Sequence, residues 1–554
     1  MSAADGRTVV SLVAEVLAGE GLRRMFGVVG SGNYQVTADL TALGVEYVAA
    51  RHETGAAVMA DVYARSTGEV TAVSLHPGCG LSNAITGIAE AAKSRTPILV
   101  LVGETPATQP GSNFAVDQTA MAQSVGALVA RVHGAGTAAA ETAAAFRLAR
   151  EERRPVVLNL PLDVQQEGVA PGVSVSPAPA ARRWPSAAPR EALDQLLLML
   201  SDAERPVFLA GRGAREAAGP LRQLAARTGA LLLTSAVARG LFEDDPWSAD
   251  TMGGFGTPYS QELVRSADLV VVWGASLNRW TTMDGTLLSG ATVVQVDDDG
   301  SAIDRHQAVD FALIGDVTHV SSDLLEHIAP GVRVGYRTDS VAARLADEGR
   351  WSAMPFIDRS TELTIDPRLL TVELDRMLPT SRVVATDVGN FAVWPALYFT
   401  VPDRDAYCLP LGFQCVGLGV AAGVGLALAR PDRSVIVGVG DGGFLMGIAD
   451  LETAVRERLP VVYVVYDDEA YGAEMHHFDD GQADVSSVTF PPVDIAGIAR
   501  GYGAEAVTVR QRDDLDSVAT WASGSRERPL VVHAKVTRMP AWMLDHAFAA
   551  ESKV

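Results

Sequence analysis

Cysteine and lysine are both scarce in this chain of 554 residues. Its three cysteines, Cys79, Cys408 and Cys415, are odd in number and widely spaced, which leaves no disulfide framework and no zinc-ligand pattern. Lysine supplies only Lys93, Lys535 and Lys553 among 45 basic residues, a bias read as composition rather than chemistry. Positive charge is in deficit overall, and a formal net charge of −22 argues against nucleic acid and anionic membranes as partners. No apolar run reaches transmembrane length; the longest, Val416 to Ala429, is short and rich in glycine and alanine. Met1 to Thr8 contains an acid and no apolar stretch of signal type, so a soluble, cytoplasmic protein is expected.

What is present is an ordinary globular profile, 48% hydrophobic and 20% charged, in a chain too long for one core. Gly168 to Arg190 carries repeated prolines and reads as a linker, and a second break lies between Ile328 and Asp366. These divide the chain into residues 1–170, 190–330 and 365–554. The outer parts share a pattern. In the first, a helix ends at Ala64-Arg65, followed by a strand to Leu75, a glycine turn, a helix and a strand from Ile98 to Val102. In the last, a helix ends at Ala429-Arg430, followed by the run Ser434 to Val439, the Gly440 turn, a helix from Phe444 to Arg458 and a strand from Pro460 to Tyr466. The middle part opens on Pro206 to Ala214 and has strands Leu269 to Trp273 and Thr292 to Val296, the latter ending in Asp297-Asp298-Asp299. That is nucleotide-fold patterning without a full GxGxxG fingerprint. The expected fold is α/β, with three doubly wound parallel-sheet domains.

The most informative residues are Gly440-Asp441-Gly442 and, one strand-helix-strand unit later, Asp467-Asp468 in Val464 to Gly472. Each acidic motif ends a run that reads as a buried parallel strand. A right-handed crossover brings both strand ends to one edge of the sheet, where ligands bind. Two carboxylates there, beside a glycine turn that opens a helix, suit a hard divalent cation holding a diphosphate.

This spacing resembles the thiamine diphosphate signature, in which the second motif is usually Asn-Asn rather than Asp467-Asp468. With Arg51-His52-Glu53-Thr54-Gly55 after a strand in the first part, the whole chain resembles the thiamine diphosphate-dependent decarboxylase and carboligase family. The resemblance is to acetohydroxyacid synthases, with features of benzoylformate decarboxylases. It implies pyrimidine-binding, central Rossmann-like and diphosphate-binding domains in that order. Taken alone, a glutamate at a helix start is an ordinary dipole interaction. The family makes Glu53 the residue that hydrogen-bonds N1′ of the cofactor's aminopyrimidine, so that the cofactor can lose its C2 proton and act as electron sink. It makes Asp441, Asp468 and the Ala470 carbonyl the Mg²⁺ ligands. Gly440, Gly442, Gly443, Asn83, Asn390 and Tyr471 become cofactor-binding candidates. Val416 is either the apolar prop of the bent cofactor or an ordinary core valine. Because Asp468 adds negative charge where asparagine is usual, a stronger metal dependence is expected.

Substrate-facing candidates are mixed in type. Ser74-Leu75-His76-Pro77-Gly78 resembles the Leu-His turn of benzoylformate decarboxylases, which implies that His76 is an active-site acid/base or a substrate binder. Ser31 matches a carboxylate-contacting serine of those enzymes or is a turn residue, and Phe114 resembles the synthases' pocket phenylalanine. Glu474 stands where pyruvate decarboxylases carry a catalytic glutamate and is expected to be buried. His476 and His477 either tune it, with His477 reaching substrate, or lie on a solvated helix face. The reaction implied is decarboxylation of a 2-oxo acid to an enamine and C–C ligation to a second carbonyl, as in an acetolactate synthase, making the enzyme a transferase or lyase. Simple decarboxylation to an aldehyde is the alternative. A flavin enzyme holding FAD at Gly211 to Ala214 and Gly253 to Gly256, and a non-catalytic cofactor-binding protein, are the rivals. The resemblance also implies a homodimer at least, with a homotetramer the family's common form.

Overall fold

Runs such as Ser434-Val435-Ile436-Val437-Gly438-Val439, apolar on both faces, can only be buried as central parallel strands covered by helices. In the computed structural model this happens three times, and residues 6–173, 187–478 and 484–542 are described. Most of the expected linker, like the first five residues, lies outside them.

All three sheets are six-stranded, and every strand pairing in them is parallel. The first runs, edge to edge, Glu46–Ala49, Arg24–Gly27, Thr71–Leu75, Ile98–Glu104, Val156–Pro161, Leu128–Arg131. The third runs Tyr407–Cys408, Arg382–Thr386, Ser434–Gly440, Val461–Asp467, Leu530–Lys535, Glu505–Val509. Counted from the start of each domain, the two orders are identical. The middle sheet differs: Phe311–Ile314, Thr292–Asp297, Leu269–Trp273, Pro206–Ala210, Leu231–Thr234, Ser248–Thr251, the order of a dinucleotide-binding fold. The chain is therefore three doubly wound α/β domains.

The outer domains share one core. Small residues let helix Glu53–Thr67 pack closely on Cys79–Lys93 and on Gly419–Ala429 of the third domain: a Cβ on Gly425 would lie 2.6 Å from the Met59 carbonyl. Charge is buried in this seam as well. The Arg65 guanidinium pairs with Asp61 and Glu90, and Glu90 accepts hydrogen bonds from the Gly412 and Phe413 amides at 3.0 and 2.7 Å.

One expected helix departs from its reading. Instead of running unbroken from Phe444 to Arg458, the segment is Asp441–Gly447, a 3₁₀ turn Ile448–Asp450, and Leu451–Arg456. At the break, a Cβ on Gly447 would sit 2.4 Å from the Gly417 carbonyl, and Asp450 is drawn onto the first domain, accepting from the Arg51 amide at 2.8 Å.

Candidate active site

In both outer domains the strand order reverses between the first and third strands, and that switch point is where ligands bind in such sheets. In the third domain the strands meeting there end in Asp387 and Gly440-Asp441. Strand Val461–Asp467 next to them delivers Asp468. Burial, with Asp467 and Asp468 nearby, pushes the Asp441 carboxyl up to about 8. Burial likewise pushes Asp468 up to about 7, against the pull of Arg538. Among the described residues neither carboxylate makes an ion pair, and burial outweighs the groups that favour ionisation.

A divalent cation fits this donor set, and its oxygen-only chemistry suits magnesium. The described residues hold no group of three or more His, Cys, Asp or Glu side chains able to bind a metal. A cation here would therefore draw further ligands from main-chain oxygen and from its own diphosphate. Around it the glycines form a cradle already closed on one side. A Cβ on Gly442 would come within 2.8 Å of the Tyr471 ring, and one on Gly443 within 2.9 Å of Asp387 Oδ2 and 3.2 Å of Val416. Val416 is half-exposed against this turn. Asp387 is fully buried, which raises its carboxyl to about 6. It accepts from the Val388 and Gly417 amides at 2.8 and 2.9 Å, fixing the loop that carries Val416.

Asp467, next to Asp468, has the opposite fate. His533 Nε2 and Lys535 Nζ reach its Oδ2 at 2.6 and 2.7 Å. Burial would raise Asp467, yet these partners hold it below the usual carboxylate range.

At the switch point of the first domain, the turns after strands Arg24–Gly27 and Thr71–Leu75 bring Ser31 and His76 together, 3.5 Å from Oγ to Nε2. Gly30 is required there because the His76 ring lies over it, 2.4 Å from where a Cβ would be. With Nδ1–H donated to the Pro77 carbonyl (3.1 Å), Nε2 of His76 is the acceptor facing Ser31. Phe114 completes the group, edge-on to the imidazole at 4.8 Å between centroids and 47% exposed. Gln118, missed in the sequence, ties this turn down: its Oε1 accepts from Gly78 N (2.8 Å) while its amide donates to Asn159 (2.8 Å). Glu53 opens its helix half-buried, and Asn83 Nδ2 donates to its Oε2 at 3.0 Å.

Three further candidates are placed as follows. Glu474, on helix Gly472–Phe478, is exposed rather than buried in this chain. His477 is half-buried beside Phe478, ring centroids 4.5 Å apart. Asn390 is buried, but both ends of its amide are engaged by the chain: Nδ2 donates to the Met539 carbonyl (2.8 Å) and Oδ1 accepts from Ala541 N (2.7 Å). It anchors the C-terminal segment. Tyr471 stands edge-on to Phe490 over the glycine turn. The Ala470 backbone is fixed by a bridge to Thr489. In the central domain the glycines singled out for FAD sit close against backbone. A Cβ on Gly211 would strike the Gly274 carbonyl at 2.2 Å, and one on Gly253 the Trp280 carbonyl at 2.2 Å. Asp298 and Asp299 pair with Arg153 and Arg95 of the first domain.

Comparison with known proteins matches this arrangement domain by domain. Residues 7–125 match the N-terminal TPP binding domain of thiamine pyrophosphate enzymes, residues 193–324 their central domain and residues 387–534 their C-terminal TPP binding domain. The chain is 30% identical over 525 residues to a probable 2-ketoarginine decarboxylase, AruI, of Pseudomonas aeruginosa, covering 92% of this chain and 90% of that protein. It is 26% identical over 557 residues to the acetolactate synthase isozyme 2 large subunit of Escherichia coli, covering 98% of each. Sulfoacetaldehyde acetyltransferase of Alcaligenes xylosoxydans is 27% identical over 562 residues, with 93% and 92% covered. With the three domains in order and the acidic and glycine motifs at their sheet edges, the chain belongs to the thiamine pyrophosphate enzyme family.

Proposed function

We propose that the protein is a thiamine diphosphate- and Mg²⁺-dependent enzyme that decarboxylates a 2-oxo acid and joins the remaining fragment to a second carbonyl. The observation that carries this is the unpaired Asp441–Asp468 pair at the switch point, beside a glycine turn closed by Tyr471 and Val416. Bound thiamine diphosphate supplies the nucleophilic carbon and the electron sink for loss of CO₂. Asp441, Asp468 and the Ala470 carbonyl would hold the cation. Val416 and Tyr471 would pack against the cofactor and exclude water. Glu53, steadied by Asn83, holds the proton on the pyrimidine nitrogen.

Within one chain Glu53 does not serve Asp441. Gly55, two positions from Glu53, packs on Asp450, which lies nine residues beyond Asp441 and past the helix break after Gly447. Glu53 therefore serves the site of a second copy, so the active unit is a homodimer or a larger homo-oligomer. Ser31, His76 and Phe114 bind the 2-oxo acid, and His76 moves the proton at Nε2. Glu474 acts only where that second copy covers its exposed face. The proposed reaction requires no flavin.

A second reading, protonation and release of an aldehyde, is favoured by the placement of His76 beside Ser31 and by the likeness to a probable 2-ketoarginine decarboxylase. Incubation with thiamine diphosphate, Mg²⁺ and panels of 2-oxo acids and aldehydes, with products read by mass spectrometry, separates the two. Ligated hydroxyketones support the first, aldehydes the second. CO₂ release that needs neither cofactor nor metal contradicts both.

A further inference from the structure

Lys535 is one of three lysines in the chain, and Lys93, the other described one, is exposed. Lys535 is only 6% exposed, at the end of strand Leu530–Lys535, where the pairing register places it opposite Asp467. Its Nζ lies 2.7 Å from Asp467 Oδ2 and 2.7 Å from Glu469 Oε1. His533, 2% exposed, reaches the same Asp467 oxygen at 2.6 Å, and Asp467 Oδ1 accepts from the Glu469 amide at 3.0 Å. Both oxygens of Asp467 are thus engaged inside the protein.

Three consecutive acids, Asp467, Asp468 and Glu469, occupy this turn, and the two flanking ones fold back onto one ammonium. Arg538 Nε adds a bond to the Asp468 carbonyl at 2.8 Å. Glu469 has a left-handed backbone (φ 57°), and its carbonyl accepts from Phe490 N at 2.9 Å. The middle carboxylate is left over, with Oδ2 lying against Gly472. A compact ammonium with three donors suits this position, where two carboxylates converge from one turn.

We propose that Lys535, backed by His533, is a positioning residue for the metal-binding turn: it neutralises Asp467 and Glu469 and presents Asp468 alone to the cation and diphosphate. The inference rests on the functional reading above and deepens it. An Asn-Asn turn needs no buried cation, whereas Asp467-Asp468 does. Lys535 is what allows this chain to depart from the asparagines usual in the family, and the dependence runs through Asp467.

The test is a calorimetric titration of thiamine diphosphate with Mg²⁺ onto metal-free wild type, Lys535→Met, Asp467→Asn and the double variant, with thermal unfolding of each apoprotein in parallel. Lys535→Met is expected to weaken binding by about tenfold or more, the usual scale for a group that orients a metal ligand. Asp467→Asn is expected to bind like wild type, and adding it to Lys535→Met is expected to restore binding. A merely structural pair would lower unfolding temperatures and leave affinity unchanged. Unchanged affinity in Lys535→Met overturns the inference, as does a double variant no better than it. If Lys535→Met does not fold, Asp467→Asn decides alone: lost binding would make Asp467 itself a ligand and overturn the inference. Wild type that takes up no cofactor overturns the functional reading and this inference with it.

Discussion

The outer domains are built on one strand order and put opposite chemistry at the same place. At the switch point of the first, the chain supplies neutral and weakly basic groups, Ser31 and His76, under an exposed phenylalanine. At the switch point of the third it supplies carboxylates that make no ion pair among the described residues, Asp441 and Asp468, around a glycine cradle. Topology thus fixes where ligands go, while the residue after each strand decides what is held there. On the proposed reading, the third domain would grip the diphosphate through a metal, and the first would handle the substrate and its proton.

Breaking either side should therefore give a different failure. Glu53→Gln should have the largest effect on turnover, lowering kcat by about 10²–10⁴-fold with cofactor still bound, as expected for loss of a proton-transfer group. Wild-type CO₂ release by this variant contradicts the mechanism. Asp441→Ala should weaken cofactor binding by roughly 100-fold or more, read by calorimetry. His76→Ala should reduce kcat by about 10²-fold and leave cofactor affinity alone.

Acidity sharpens the contrast further. A metal needs both carboxylates deprotonated, and their carboxyls stand at about 8 and about 7. Metal-dependent cofactor affinity should therefore climb as pH rises from 6 to 8, by roughly 100-fold or more, with protons released on binding. The sign for the apoprotein is the reverse. A carboxyl raised in the folded state adds stability that is fully present below its ordinary range and lost as pH rises through the folded value. Apoprotein melting temperature should fall over the same window, and Asp441→Asn should flatten both trends. Asp468→Asn tests the charge of the turn, with the variant expected to need less Mg²⁺ for half-maximal activity. The smallest effect, about threefold on KM with kcat unchanged, is expected for Ser31→Ala, which removes one hydrogen bond to substrate.

Much of this was legible in the sequence because it depends on what ends a strand. Runs apolar on both faces specified parallel sheets, and the residues closing them, His76, Asp441 and Asp468, were visible as polar stops. Glu53 was visible only through the family pattern, since a helix-opening glutamate has an ordinary explanation. What escaped depends on contacts between segments far apart in the chain. Nothing near Lys535 or Gln118 reveals that they clamp turns remote from them in sequence. The break after Gly447 follows from the close approach of Gly417, and the engagement of Asn390 follows from the segment around Met539. Glu474 was expected to be buried because it stands where pyruvate decarboxylases carry a catalytic glutamate, whereas its face of helix Gly472–Phe478 is exposed in the single chain.

The division of labour between the two switch points is tested most directly by calorimetric titration of thiamine diphosphate with Mg²⁺ onto Asp441→Ala and His76→Ala side by side. The account predicts binding weakened by roughly 100-fold or more in the first and wild-type affinity in the second, whose turnover then falls by about 10²-fold. Equal affinities in the two variants would contradict it.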